Sequence, residues 1–156
     1  MISILSRHFN GLPSNLIPYE LHSTGRIGHD LIVSLIALGY EKIYVLTDPK
    51  LASEHIHIPL QLDLAKNMIK GLAKSYKDDF IKIIETNNPE EVSNILYKNK
   101  DGLKIKTQPF NPLGKPRGIV RVAMKSIQKN SKKTKLIELP KRSPYGTLDV
   151  DKEKCT

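Results

Sequence analysis

Between Leu16 and about Lys98, short β-prone runs alternate with amphipathic stretches of helical length, and this alternation constrains the fold more than any other feature. Leu16–Leu21 reads as a short strand, at an edge or carrying a bulge because Pro18 cannot donate to a ladder. After His22–Gly28, a helix is expected through Leu38, with Gly39 as its stop. Lys42–Thr47 is a continuous β-prone run, as a strand covered on both faces should be. Asp48-Pro49 turns the chain. The clearest helix spans His57–Tyr76, where Ile58, Leu62, Ala65, Ile69, Leu72 and Tyr76 recur at spacings of four and three. Phe80–Ile84 is a second buried-type strand. Asn88 caps a helix with Pro89 at its first position, running to about Lys98.

Helix and strand alternation at this spacing predicts βαβ units. The expected fold class is α/β: a three-layer, mainly parallel sheet with helices on both faces, flavodoxin- or Rossmann-like. The chain opens on a helix (Ile2, Ile4, Leu5, Phe9), stopped by Gly11-Leu12-Pro13, so a first strand is expected to be missing at the N-terminus. Beyond the Asp101-Gly102 turn and the Gln108–Gly114 loop, a helix is expected from about Lys115 to Lys129. Ile119, Val120, Ala123, Met124 and Ile127 form its inner face, and Arg117, Arg121, Lys125 and Lys129 its outer stripe. Lys135–Leu139 reads as a last strand. The organisation is an α/β module over 1–103, a basic loop–helix–strand extension over 104–142, and the start of another domain over 143–156.

Hydrophobic residues at 39% supply one real core and exclude wholesale disorder. No apolar run nears the ~20 residues of a membrane span. The N-terminus lacks a signal peptide's three regions. Cys155 is the one cysteine, which excludes an internal disulfide and a self-contained zinc site. The expected compartment is therefore the cytoplasm. Charge is uneven: the net is +9, but Leu103–Ser143 holds 12 basic residues against Glu138 alone. Such a block suits RNA or an acidic protein partner, although a Lys-rich composition gives the same look. No aromatic platform interleaves it, and specific nucleic-acid binding is not expected.

Few residues suggest chemistry. Thr24-Gly25-Arg26-Ile27-Gly28 precedes a helix and could bind an anion, but a tight turn needing glycine explains it as well. Thr47-Asp48-Pro49 ends a central strand, where open α/β sheets place ligands. With the glycine turn, it leaves a nucleotide- or flavin-binding reading open. His55 and His57 lie two apart, the wrong spacing for a helical metal pair. His8, His22 and His29 have no carboxylate or cysteine cluster in sequence. Asp30, Asp48 and Asp63 are scattered. No catalytic residues, and so no enzyme active site, can be read from this chain.

The tail Leu148-Asp149-Val150-Asp151-Lys152-Glu153-Lys154-Cys155-Thr156 resembles the lead-in strand of a bacterial-type 4Fe-4S ferredoxin domain, a Leu-x-Val-Asp strand followed by x-x-Lys-Cys-Thr. Three upstream stretches extend the likeness: Leu16–Asp30 with Leu35–Leu46, Pro109–Arg117, and Leu139-Pro140 with Ser143-Pro144-Tyr145-Gly146. In order, these are similar to segments of proteobacterial 4Fe-4S ferredoxin-type multidomain proteins. Their α/β module is akin to the delta subunit of methyl-viologen-reducing hydrogenases. The resemblance implies an electron-transfer protein with redox partner proteins, a 4Fe-4S cluster as cofactor, and Cys155 as its first metal ligand. A cubane needs four thiolates. This chain alone is thus expected to bind no stable cluster and to be a fragment of a longer protein. Electron donor, acceptor and oligomeric state are not legible.

Overall fold

A computed structural model describes residues 1–51, 56–72, 78–98, 102–128 and 137–146. The elements are α1 (Ile2–His8), α2 (His29–Ala37), β1 (Ile43–Thr47), α3 (Ile58–Leu72), β2 (Ile81–Glu85), α4 (Pro89–Lys98) and α5 (Pro116–Gln128), with single 3-10 turns at Thr24–Arg26 and Asp78–Phe80. The class is α/β. Among the described residues the sheet has two strands, β1 and β2, parallel and paired from Ile43 opposite Ile81 to Thr47 opposite Glu85. The connection between them carries α3, as a parallel pair requires.

Period-two alternation sends strand residues to two apolar clusters. Ile43, Val45 and Ile81 join the larger one, with Ile32, Val33 and Ile36 of α2, Leu62, Ala65 and Ile69 of α3, and Val120, Ala123 and Ile127 of α5. Tyr44 and Ile84 join the smaller one, with Leu5 of α1 and Val92 of α4. Tyr97 of α4 donates from its hydroxyl to the Asn10 carbonyl (2.7 Å), closing the smaller cluster.

Local signals explain the helix ends. Gly39 takes φ +97°, a conformation that side chains disfavour, and lets the Tyr40 amide turn back to the Leu35 carbonyl (3.1 Å). Asn88 Oδ1 accepts the Glu90 amide (3.0 Å) and caps α4 ahead of Pro89. In α3, Ile58, Leu62, Ala65, Ile69 and Leu72 are buried as their spacing predicts; Leu64 and Met68 are buried too, because the larger cluster covers a wider arc of the helix. Tyr76 lies outside the described residues, and so does Lys129.

Two expected strands are corrected. Leu16–Leu21 joins no ladder: the Leu16 amide bonds the Pro13 carbonyl (3.0 Å), and Ile17 and Tyr19 stand 71% and 80% exposed. Pro18 removes a donor there, and only Leu21 reaches the core. Of Lys135–Leu139, the described residues Ile137–Leu139 form no strand either. The Ile137 side chain instead packs onto Gly71 of α3, so closely that a Cβ at Gly71 would lie 2.5 Å from Ile137 Cγ1. Phe80 also belongs to a 3-10 turn, and β2 begins one residue later.

Candidate functional site

Two polar groups stand out. The first lies where the strands end. Asp48 Oδ1 accepts from the Lys50 amide (2.9 Å) and from Asn87 Nδ2 (2.8 Å), which ties the loop after β1 to the loop after β2. Thr86 donates from Oγ1 to Glu91 (2.6 Å) and accepts the Asn88 amide (3.2 Å). These groups are turned toward one another, so the loops are braced by their own side chains. Thr47 Oγ1, at the end of β1, is buried without a hydrogen-bond partner among the described residues. Its lack of solvent contact keeps it from lining an open crevice.

The second group joins distant parts of the chain. His29 opens α2, and Gln61 sits in the first turn of α3. Gln61 Oε1 accepts the His29 amide (3.1 Å) and lies 2.6 Å from His29 Nδ1. A backbone N–H can only donate, so the oxygen is correctly placed, and Nδ1 carries the proton. In the neutral ring Nε2 is then an acceptor, and the Tyr145 hydroxyl donates to it (2.8 Å). The rings meet edge to face, with centroids 5.5 Å apart at 88°. Arg117, in the first turn of α5, donates from Nη2 to the Pro144 carbonyl (2.9 Å) and lies 5.9 Å from the Tyr145 ring centre. Residues 140–146 are themselves coiled: the Ser143 amide bonds the Pro140 carbonyl (2.8 Å), and the Tyr145 amide bonds Ser143 Oγ (3.2 Å). The result is a clasp that seats this segment on the N-terminal turns of α2 and α5, with α3 tied in through Gln61 and His29.

Burial, reinforced by the Asp30 carboxylate and opposed by Arg117, raises the Tyr145 phenol above its ordinary value of 10.0. The phenol therefore stays protonated and can donate to His29. Because the folded value exceeds the unfolded one, this contribution is fully present below pH 10 and fades as pH rises through the folded value. Tyr145→Phe is expected to lose about 0.5–1.5 kcal/mol at neutral pH, the worth of one ordinary hydrogen bond. The gap between wild type and variant should narrow above pH 10, as read from urea melts across that range. An equal gap at all pH values would contradict the donor role of the phenol.

The other candidate residues are accounted for as follows. In Thr24–Gly28 the Gly25 amide bonds Ser23 Oγ (3.2 Å), the Arg26 amide the Ser23 carbonyl (3.2 Å) and the Gly28 amide the Arg26 carbonyl (3.0 Å). Three of the turn's donors are thus spent locally, and the Asp30 carboxylate folds back against Gly28, where an anion would have to sit. His8 and His22 are exposed. Asp63 bonds Asn67 within its own helix. Among the described residues no group of three or more His, Cys, Asp or Glu could hold a metal. His55 and Cys155 lie outside the described residues. The His29–Tyr145 contact was not readable from spacing, since 116 residues separate the partners.

Comparison of the chain with protein families, curated proteins and solved structures finds no match. No described helix is long and apolar enough to cross a membrane.

Proposed function

We propose that this chain is the α/β module that leads into a 4Fe-4S domain of an electron-transfer protein. In this reading 143–156 forms the lead-in and Cys155 is the first iron ligand. One observation carries the reading. His29, Arg117 and Tyr145 come from the three separated stretches that bear the ferredoxin-type resemblance, Leu16–Asp30, Pro109–Arg117 and Ser143–Gly146, and they meet in one clasp. Stretches so far apart gain a common purpose if the module must hold the start of the following domain in place. The parallel β1–α3–β2 unit and the two apolar clusters fed by alternate strand residues suit a three-layer, flavodoxin-like module.

The donor set in this chain does not by itself fit the cluster. Cys155 supplies one thiolate where a cubane takes four. In this reading the remaining ligands are supplied from outside this chain's residues, and no electron-transfer step is assigned to residues of this chain. Their work is to fold, to hold the lead-in, and to present a surface to redox partner proteins. A single cysteine suits a reducing compartment, which favours the cytoplasm.

The test is anaerobic purification of the product of the natural reading frame, including whatever follows Thr156. A brown protein with an iron–sulfur signal in electron paramagnetic resonance after reduction supports the proposal. A colourless product free of iron and labile sulfide refutes it.

A further inference from the structure

The structure carries a concentrated basic face of which the clasp uses only Arg117. Val120, Ala123 and Ile127 fix α5 in the larger cluster, so its opposite side is held in a set orientation. Arg117, Arg121 and Lys125 stand there, exposed, four residues apart, in a row about 12 Å long. α5 contains no Asp or Glu. The Arg117 bond to Pro144 brings the 140–146 coil against its first turn, and exposed Lys141 and Arg142 continue the positive surface. Of the nearby acids, Asp30 is turned back on Gly28, and Glu138 is one charge against five. Arg121 and Lys125 have no acidic partner among the described residues. Like charges four apart on a helix repel, so the fold holds an arrangement that an incoming acidic surface would relieve.

We propose that this face of α5, with the 141–142 turn, is a docking surface for an acidic protein. The proposal stands apart from the redox reading and needs no cluster. Two features favour a protein over a nucleic acid. Val122, 40% exposed, and Gly118, where an added Cβ would meet nothing within 4 Å, share the exposed arc with the cations. They supply a small apolar spot and room for close approach, which are features of protein interfaces. The exposed arc holds no aromatic residue on which a base could stack.

The probes are poly-L-glutamate, as an acidic peptide, and poly(U), as RNA. Affinities are measured for wild type, for Arg121→Glu/Lys125→Glu, and for Lys82→Glu/Lys98→Glu, a control of equal charge change at exposed sites elsewhere. The α5 variant is expected to lose poly-L-glutamate affinity about tenfold more than the control. The milder Arg121→Gln/Lys125→Gln should fall between wild type and the α5 charge reversal, and it replaces the reversal if that variant melts early. Equal losses in both charge reversals would reduce the face to net charge and overturn the proposal. Tighter, stripe-dependent binding of poly(U) would overturn it in favour of RNA.

Discussion

Phe80→Ala is expected to lower the unfolding free energy by about 3–5 kcal/mol. Phe80 is the largest fully buried side chain among the described residues, with 0% of its surface exposed. It closes the 3-10 turn just before β2 and packs in the cluster that joins α2, α3 and α5 to the sheet. Truncation leaves a ring-sized void where the surrounding helices meet, and close-packed walls relax only partly. Domains of this size are stable by about 5–15 kcal/mol in total, so the variant should be largely unfolded under mild denaturant. Urea melts should show a strong fall in midpoint at an unchanged slope. Ile17→Ala, at an exposed residue, should change stability by less than about 0.5 kcal/mol. Similar losses at both positions would mean that the core is drawn in the wrong place.

The second large effect separates two glycines by the space around them. At Gly102 an added Cβ would lie 2.5 Å from Glu41 Cβ, 2.6 Å from the Glu41 carbonyl oxygen and 2.7 Å from its carbonyl carbon. That neighbour is backbone and cannot swing aside. The same carbonyl accepts the Leu103 amide (2.7 Å), and Leu103 is buried in the larger cluster. Gly102→Ala must therefore push the two strands of chain apart and loosen Leu103, at a cost of about 1–3 kcal/mol. Gly118, in the first turn of α5, faces open space. There the same substitution should stabilise, by up to about 0.5–1 kcal/mol, because alanine is the better helix former. Thermal melts of the two variants should move in opposite directions. A shift of the same sign in both would contradict the packing of Gly102 on Glu41.

What the sequence revealed, and what it hid, follows from the range of the interactions involved. The α3 stripe, the β1 run and the Asn88-Pro89 start were legible because local periodicity and capping decide them. Leu16–Leu21 and Ile137–Leu139 misled for the opposite reason. A β-prone run becomes a strand only if a neighbour pairs with it, and Leu21 and Ile137 are spent on helix packing instead. The Gly102 approach was hidden behind an ordinary Asp-Gly turn. The clasp was beyond spacing arguments altogether: His29, Gln61, Arg117 and Tyr145 belong to four separate segments. His29, Arg117 and Tyr145 each fall inside a stretch on which the proposed ferredoxin-type reading rests.

Iron counting tests the central claim most directly. The product of the natural reading frame is purified anaerobically as wild type and as Cys155→Ser, and iron and labile sulfide are measured per chain. If Cys155 is the first ligand of a cubane, the variant should lose about four irons and four sulfides relative to wild type, while Tyr145 still anchors the module and its melting is unchanged. Equal iron in the two proteins, or iron in neither, would contradict the account.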